Sequence, residues 1–131
     1  MTRYLLDTDT LIDFSKGREP TRSRILQMIE AGDVLGVCAI NVSEFYAGLP
    51  EEQRSTWDEF FTALPYWPIS REAAIQAGRE RYEFSRQGRT VTTADALIAA
   101  VARENQATII TSNIKDYPMP GVSLLSLREA R

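Results

Sequence analysis

Apolar residues follow two rhythms along this 131-residue chain. Unbroken runs at 4–6, 35–40 (LGVCAI), 107–111 (ATIIT) and 122–125 (VSLL) have the length of strands buried on both faces. Residues 66–69 suggest a further short strand, despite Pro65 before it and Pro68 within it. The second rhythm is helical. Trp57, Phe60, Phe61 and Leu64 recur at i, i+3, i+4 and i+7, which predicts a core-facing helix over 53–64. A helix opening at Thr92 carries the apolar stripe Ala94, Leu97, Ile98, Val101 and Ala102. Further helices are expected over 10–15, over 20–31 with Pro20 in the first turn, over 41–48 with Asn41 as N-cap, and over 70–87 ended by Gly88. In the second of these, Ile25, Met28, Ile29 and Gly32 share one side.

Strands alternating with helices predict an α/β fold, a parallel sheet covered on both faces. No linker, repeat or low-complexity tract divides the chain, so residues 1–131 are expected to form one domain. Ligands of such sheets bind outside the carboxyl ends of the strands, where the strand order reverses. Asp7 stands at one carboxyl end, and Ser112, Asn113 and Asp116 follow another.

Composition then narrows the chemistry. Histidine is absent, which excludes Ser-His-Asp and Cys-His sites. Cys38 is the only cysteine, and its apolar surroundings predict a buried thiol. Acid–base or metal chemistry must rest on carboxylates, and oxygen-only ligation favours Mg²⁺ or Mn²⁺. The net charge of −3 argues against a strongly basic nucleic-acid binder. Of fifteen basic residues, however, only Lys16 and Lys115 are lysine. Arginines gather at Arg18, Arg22 and Arg24, and again at Arg79, Arg81, Arg86 and Arg89, and their planar forks suit phosphate. Interleaved Glu80 and Glu83 allow a plainer reading, a solvated helix face. With neither a leader nor a membrane-length apolar run in view, a soluble cytoplasmic protein is expected.

Each acid has a local explanation. Asp7 suits a helix N-cap, Asp9 and Asp13 suit the helix N-terminus and the surface, and Glu44 stands at capping-box distance from Asn41. Asp95 lies three residues after the capping Thr92. Their joint placement demands more. Asp7 ends one strand, Glu44 follows a second, Asp95 opens the most apolar helix and Asp116 follows a third strand. If these segments meet at one sheet edge, the carboxylates repel unless a divalent cation intervenes. DTDTL resembles the signature of haloacid-dehalogenase-type phosphatases, with Asp7 as nucleophile, but Leu11 departs from it and the required downstream lysine and acidic cluster are not matched. Neither a GxxxxGK[ST] nor a GxGxxG loop is present.

Four segments in order, LLDTDTLIDF, AINVSEFYAG, TTADALIAAVA and TIITSNIKDY, resemble PIN-domain ribonucleases, in particular the VapC-type toxins of prokaryotic toxin–antitoxin pairs. The resemblance implies an α/β/α sandwich with a mostly parallel sheet of about five strands. It implies that Asp7, Glu44 and Asp95 hold Mg²⁺ or Mn²⁺, with a fourth acid where Asn113 stands or slightly later. Asn113 departs from that pattern, and Asp116 is taken as the substitute. Thr111, Ser112 and Asn113 are then substrate-side residues, with Thr111 or Ser112 bonding the scissile phosphate or a carboxylate; Arg86 and Arg89 are candidate phosphate contacts. The implied reaction is hydrolysis of an RNA phosphodiester that leaves a 5′ phosphate. A homodimer is implied, as is a VapB-type antitoxin that inserts a segment into the acidic groove, with helices 20–31 and 53–64 as walls. The alternative is a catalytically weak PIN-like module that binds RNA or protein, to which the amide at Asn113 lends support.

Overall fold

Five parallel strands in the order β3-β2-β1-β4-β5 make up the sheet of the computed structural model, which describes residues 1–128. The elements run β1 (Arg3–Leu6), α1 (Thr8–Ser15), α2 (Thr21–Glu30), β2 (Val34–Cys38), α3 (Ala39–Ala47), α4 (Arg54–Ala63), β3 (Tyr66–Trp67), α5 (Arg71–Arg86), α6 (Thr93–Glu104), β4 (Thr108–Ile110) and β5 (Leu124–Leu125). Short 3₁₀ turns lie at Glu51–Gln53 and Ile114–Asp116. From central β1 the chain builds outward through β2 and β3, then crosses back to place β4 on the other flank of β1. The strand order therefore reverses at the carboxyl end of β1, beside Asp7.

The alternation of side chains along each strand sorts the core into two layers. Leu5, Cys38 and Ile109 face one layer, built from α5 and α6 with Ala73, Ala77, Ala96, Ala99, Ala100 and Ala102. Leu6, Leu35, Val37 and Ile110 face the other, where α1 to α4 supply Leu11, Ile25 and Phe45. The first layer is lined with alanines where α5 and α6 pack on each other. The second is thick with rings: Phe45 meets Trp57 and Phe61 edge-on at 5.5 and 5.2 Å, and Phe14 stacks on Phe60 at 5.4 Å. Full burial of each Leu or Ile side chain contributes about 1.5–3 kcal/mol. Gly36 in β2 is required by packing: a Cβ there would meet the Trp67 ring at 2.6 Å.

Several boundaries differ from those expected, each for a local reason. α1 begins at Thr8 rather than residue 10, because Asp7 caps it. The run 35–40 ends as a strand at Cys38, and Ala39 and Ile40 belong to α3. Asn41 is consequently not the N-cap; it is the third residue of α3, and its Oδ1 accepts from the backbone N of Cys38 at 3.3 Å. That frees Glu44 from the capping-box role. β3 is cut to two residues before Pro68, which has no N–H to offer a ladder. β4 and β5 are each shorter than their apolar runs. Ile29 does not join the core face of α2 and is 44% exposed. Glu80 does not lie on a solvated face: it pairs with Arg103 at 2.5 Å, both side chains largely buried. Ser70 and Thr92 cap α5 and α6 through their hydroxyls, as their positions predict. Cys38 is a free, buried thiol. Among the described residues no helix is long and apolar enough to cross a membrane.

Candidate active site

The carboxyl ends of β1, β2 and β4, together with the start of α6, bring the acids to one rim of the sheet. Asp7 follows β1 and is buried. Its Oδ1 accepts from the backbone N of Thr8 at 2.8 Å and from Nδ2 of Asn41 at 3.4 Å, and its Oδ2 accepts from the Tyr117 hydroxyl at 2.7 Å. Burial pushes the Asp7 carboxyl above the usual range, against the pull of Tyr117 and Thr8; the charge of Asp9 pushes it the same way as burial. Glu44, one turn into α3, is exposed, and its Oε1 accepts from Thr8 Oγ1 at 2.6 Å. Thr8 thereby ties the end of β1 to the end of β2.

Asp95 sits half-buried in the first turn of α6, its backbone N donating to Thr92 Oγ1 at 3.1 Å. Its proton affinity is raised first by burial and then by the charges of Asp116 and Glu44, so these three acids share one neighbourhood. Tyr117 joins them to Asp7: its hydroxyl donates to Asp7, and its presence lowers the proton affinity of Asp95. The phenol is itself held firmly protonated by burial and by the charges of Asp7, Asp95 and Asp9.

The loop after β4 carries the remaining candidates. Thr111 is fully buried, and its Oγ1 accepts from the backbone N of Asn113 at 3.0 Å. Ser112 turns away from Asp7 and donates to Asp9 Oδ2 through its backbone N, at 2.8 Å, and through its hydroxyl. Asn113 Nδ2 faces the same oxygen at 3.5 Å. Asp116 lies exposed in the 3₁₀ turn, within electrostatic reach of Asp95. Arg89 is brought to this loop, with Nη2 donating to the Lys115 carbonyl at 3.2 Å. Arg86 is not: it stays on α5, bonded to the Tyr82 hydroxyl at 3.1 Å and lying over that ring.

Two aspartates differ from their expected surface roles. Asp13 is buried and paired with Arg18 at 3.0 Å and Arg128 at 2.9 Å. Asp9 does serve the helix N-terminus, accepting from the backbone N of Thr10 at 2.8 Å, but it also spans to the β4 loop. Tyr117 and Asn41 were overlooked as site residues. Tyr117 directly follows the acid in TSNIKDY, so a hydroxyl-bearing ring beside Asp116 was the available signal.

The donor set suits a hard cation. Every available donor is oxygen, and among the described residues the ion pairs engage only Asp13 and Glu80, never the five acids of this rim. A buried carboxylate with raised proton affinity and no arginine beside it is short of positive charge. As the side chains stand, no three acids among the described residues are close enough to hold one ion. Asp7 Oδ2 is engaged by Tyr117, and Glu44 by Thr8. Glu44 is exposed and Asp95 half-buried.

A groove of about 470 Å³ runs beside Glu44, bounded by Ile12, Lys16, Glu44, Gly48 and Gln53. It therefore borders the start of helix 53–64, one of the two expected walls, whereas among the described residues α2 contributes none of its lining.

Comparison with known proteins places the chain in a family. The PIN domain model matches residues 4–116, and the chain belongs to that family. It is 30% identical over 124 residues to Ribonuclease VapC2 of Haemophilus influenzae, covering 89% of this chain and 91% of that protein. It is 27% identical over 117 residues to Ribonuclease VapC19 of Mycobacterium tuberculosis, covering 88% and 92%. The fold matches a crystal structure of VapBC2 from Rickettsia felis bound to a DNA fragment from their promoter, with a TM-score of 0.81 at 23% identity, covering 95% and 98% of the two chains.

Proposed function

We propose that this protein is a divalent-cation-dependent endoribonuclease of the VapC type, the toxin of a toxin–antitoxin pair. The observation that carries the reading is the un-neutralised acidic rim at the switch point of a PIN-domain sheet. The relatives named ribonuclease lend it support at the level of the whole chain.

Asp7, Glu44 and Asp95 are proposed to hold the cation, Mg²⁺ or Mn²⁺, with Asp116 completing the acidic set. Bound there, such an ion would polarise a phosphoryl oxygen and acidify water. The chain's own residues do the rest. Asn41 and Tyr117 fix the orientation of Asp7 through its two oxygens. Thr8 keeps Glu44 at the rim. Arg89, anchored at the turn carrying Asp116, is placed to meet a phosphate of the RNA backbone; Arg86 takes a more distant phosphate or none. Thr111 is assigned to support Asp7 rather than to touch RNA, since it is fully buried. Ser112 and Asn113 face Asp9, which makes them shapers of the loop beside the substrate.

Residues 1–131 are proposed to form one such domain, acting as a homodimer in the cytoplasm. A VapB-type antitoxin would cover the acidic rim through the groove beside Glu44, where a basic side chain would find the charge it needs. The test is cleavage of a mixed pool of structured RNAs by purified protein. Cutting should require added Mg²⁺ or Mn²⁺, stop with excess EDTA and disappear in Asp7→Asn and Asp95→Asn. Cutting that persists in EDTA sinks the reading, and metal-independent RNA binding without turnover turns it toward a binding module.

A further inference from the structure

Asp9 lies outside the set of acids assigned above, yet it is the acid most deeply tied into the loop after β4. It sits in the first turn of α1, two residues beyond Asp7. Oδ1 accepts from the Thr10 backbone N at 2.8 Å; Oδ2 gathers the Ser112 backbone N, the Ser112 hydroxyl and, at 3.5 Å, the Asn113 amide. The donors to Oδ2 come from residues more than a hundred positions away in sequence. All of them are neutral, and among the described residues no arginine or lysine forms an ion pair with Asp9, although the Arg128 guanidinium lies within reach of its field.

The facing pair Asp9 and Asn113 contains one acid and one amide across a single contact. One negative charge is thus delivered to this side of the rim. Two acids here would repel, and two amides would leave the side uncharged.

We propose that Asp9 is a positioning residue of the cation site: it latches the Ser112–Asn113 loop to α1 and supplies, from the α1 side, the negative charge that Asn113 does not carry. The inference rests on the nuclease reading, since it assigns a role around the same site. If only the latch mattered, a neutral isostere that preserves loop and fold would serve. If the charge matters, its location on either partner of the contact should suffice.

That difference is measurable without RNA. Mn²⁺ binding to the purified full chain can be read from the free-ion electron paramagnetic resonance signal, with thermal melting of the cation-free protein recorded in parallel. Asp9→Asn should weaken Mn²⁺ binding by about tenfold, the scale of one charge at close range in a partly solvated site. The double variant Asp9→Asn with Asn113→Asp moves the charge across the contact and should recover most of that loss. Unchanged Mn²⁺ binding in Asp9→Asn overturns the proposal while leaving the nuclease reading intact. So does a double variant that melts like wild type yet stays as weak as the single one. A wild-type protein that takes up no Mn²⁺ overturns both.

Discussion

Asp7 caps one short helix and Asp13 lies within it, both are buried, and the protein treats them in opposite ways. Asp13 lies between two guanidinium groups, Arg18 and Arg128. Burial raises its proton affinity, but the hydrogen bonds and charges of Arg128 and Arg18 outweigh that and hold its carboxyl below the usual range. Asp7 has a hydroxyl, an amide and a backbone N–H for company, and burial wins. Asp13 is satisfied by the fold and ties the C-terminal segment at Arg128 to α1. Among the described residues Asp7 has no positive partner, the deficit that the proposed cation would fill. A structural carboxylate is finished in the free protein, whereas one built for a cation is not.

The largest effect that separates the two is catalytic. Asp7→Asn should lower cation-dependent RNA cleavage by more than about a hundredfold, beyond the usual loss for an outer-shell partner of a metal ligand. Asp13→Asn should leave cleavage within a few-fold of wild type, measured at equal folded concentration. Equal losses in both variants would erase the distinction.

Stability should show the reverse order. Asp13→Ala removes two charge-assisted hydrogen bonds, but both arginines are half-exposed and can be rehydrated, so a loss of about 1–3 kcal/mol is expected from denaturant melts. Asp7→Asn removes a charge whose burial is unfavourable in the cation-free state, and should leave that state as stable as wild type or slightly more so. Added Mn²⁺ should then stabilise wild type and Asp13→Ala but not Asp7→Asn.

The sequence sets Asp7 apart as the acid that ends a strand, but it does not show how Asp13 is held, and the reason is distance along the chain. LLDTDTLIDF displays three acids behind a strand, and nothing local says that Asp13 meets Arg128 or that Asp9 meets Ser112. The layers of the fold were legible, because strand length and helical period are local and the two core faces follow from alternation. The end of β2 was not. LGVCAI contains no breaker, and the chain turns helical at Ala39 because Asn41 folds back on Cys38, a contact that hydrophobic rhythm cannot register. The placement of Asp7, Glu44 and Asp95 at one rim is legible because each sits just beyond a strand end or at a helix start. Tyr117 was not, since an aromatic ring after an acid reads as core, and where its hydroxyl points depends on the whole β4 loop.

A pH profile sharpens the comparison at smaller amplitude. A carboxyl with a depressed folded-state pKa, such as Asp13, contributes stability above its unfolded value near 3.9, lost as pH falls through the folded value. Asp7 and Asp95 have raised values and act with the opposite sign: their charged forms cost stability at neutral pH, and that cost is relieved as pH falls toward 3.9. The cation-free protein should therefore be most stable on the acid side of neutral, then lose stability below about pH 4. Asp7→Asn should flatten the first change, and Asp13→Ala the second. Saturating Mn²⁺ should move the optimum back toward neutral, because the carboxylates are then wanted in their charged forms.

The smallest expected effect concerns the hydroxyl that separates Asp7 from its cation-ready state. Tyr117→Phe keeps the ring, which packs in the layer under α5 and α6, and deletes only the donor to Asp7 Oδ2. In the cation-free protein the loss leaves a buried carboxylate oxygen short of a partner, at a cost of about 1–2 kcal/mol. If an arriving cation takes over that oxygen, the hydroxyl is displaced and its loss costs little in the loaded state. Tyr117→Phe should then melt lower than wild type without cation and nearly level with it in saturating Mn²⁺, so the variant shows the larger cation-induced shift. If the hydroxyl instead remains on Asp7 and orients it from the outer shell, the deficit should be equal with and without cation, and Mn²⁺ affinity should fall. The two outcomes distinguish a placeholder that keeps the site closed until an ion arrives from a permanent strut, and that settles whether the fold leaves Asp7 open or holds it in reserve.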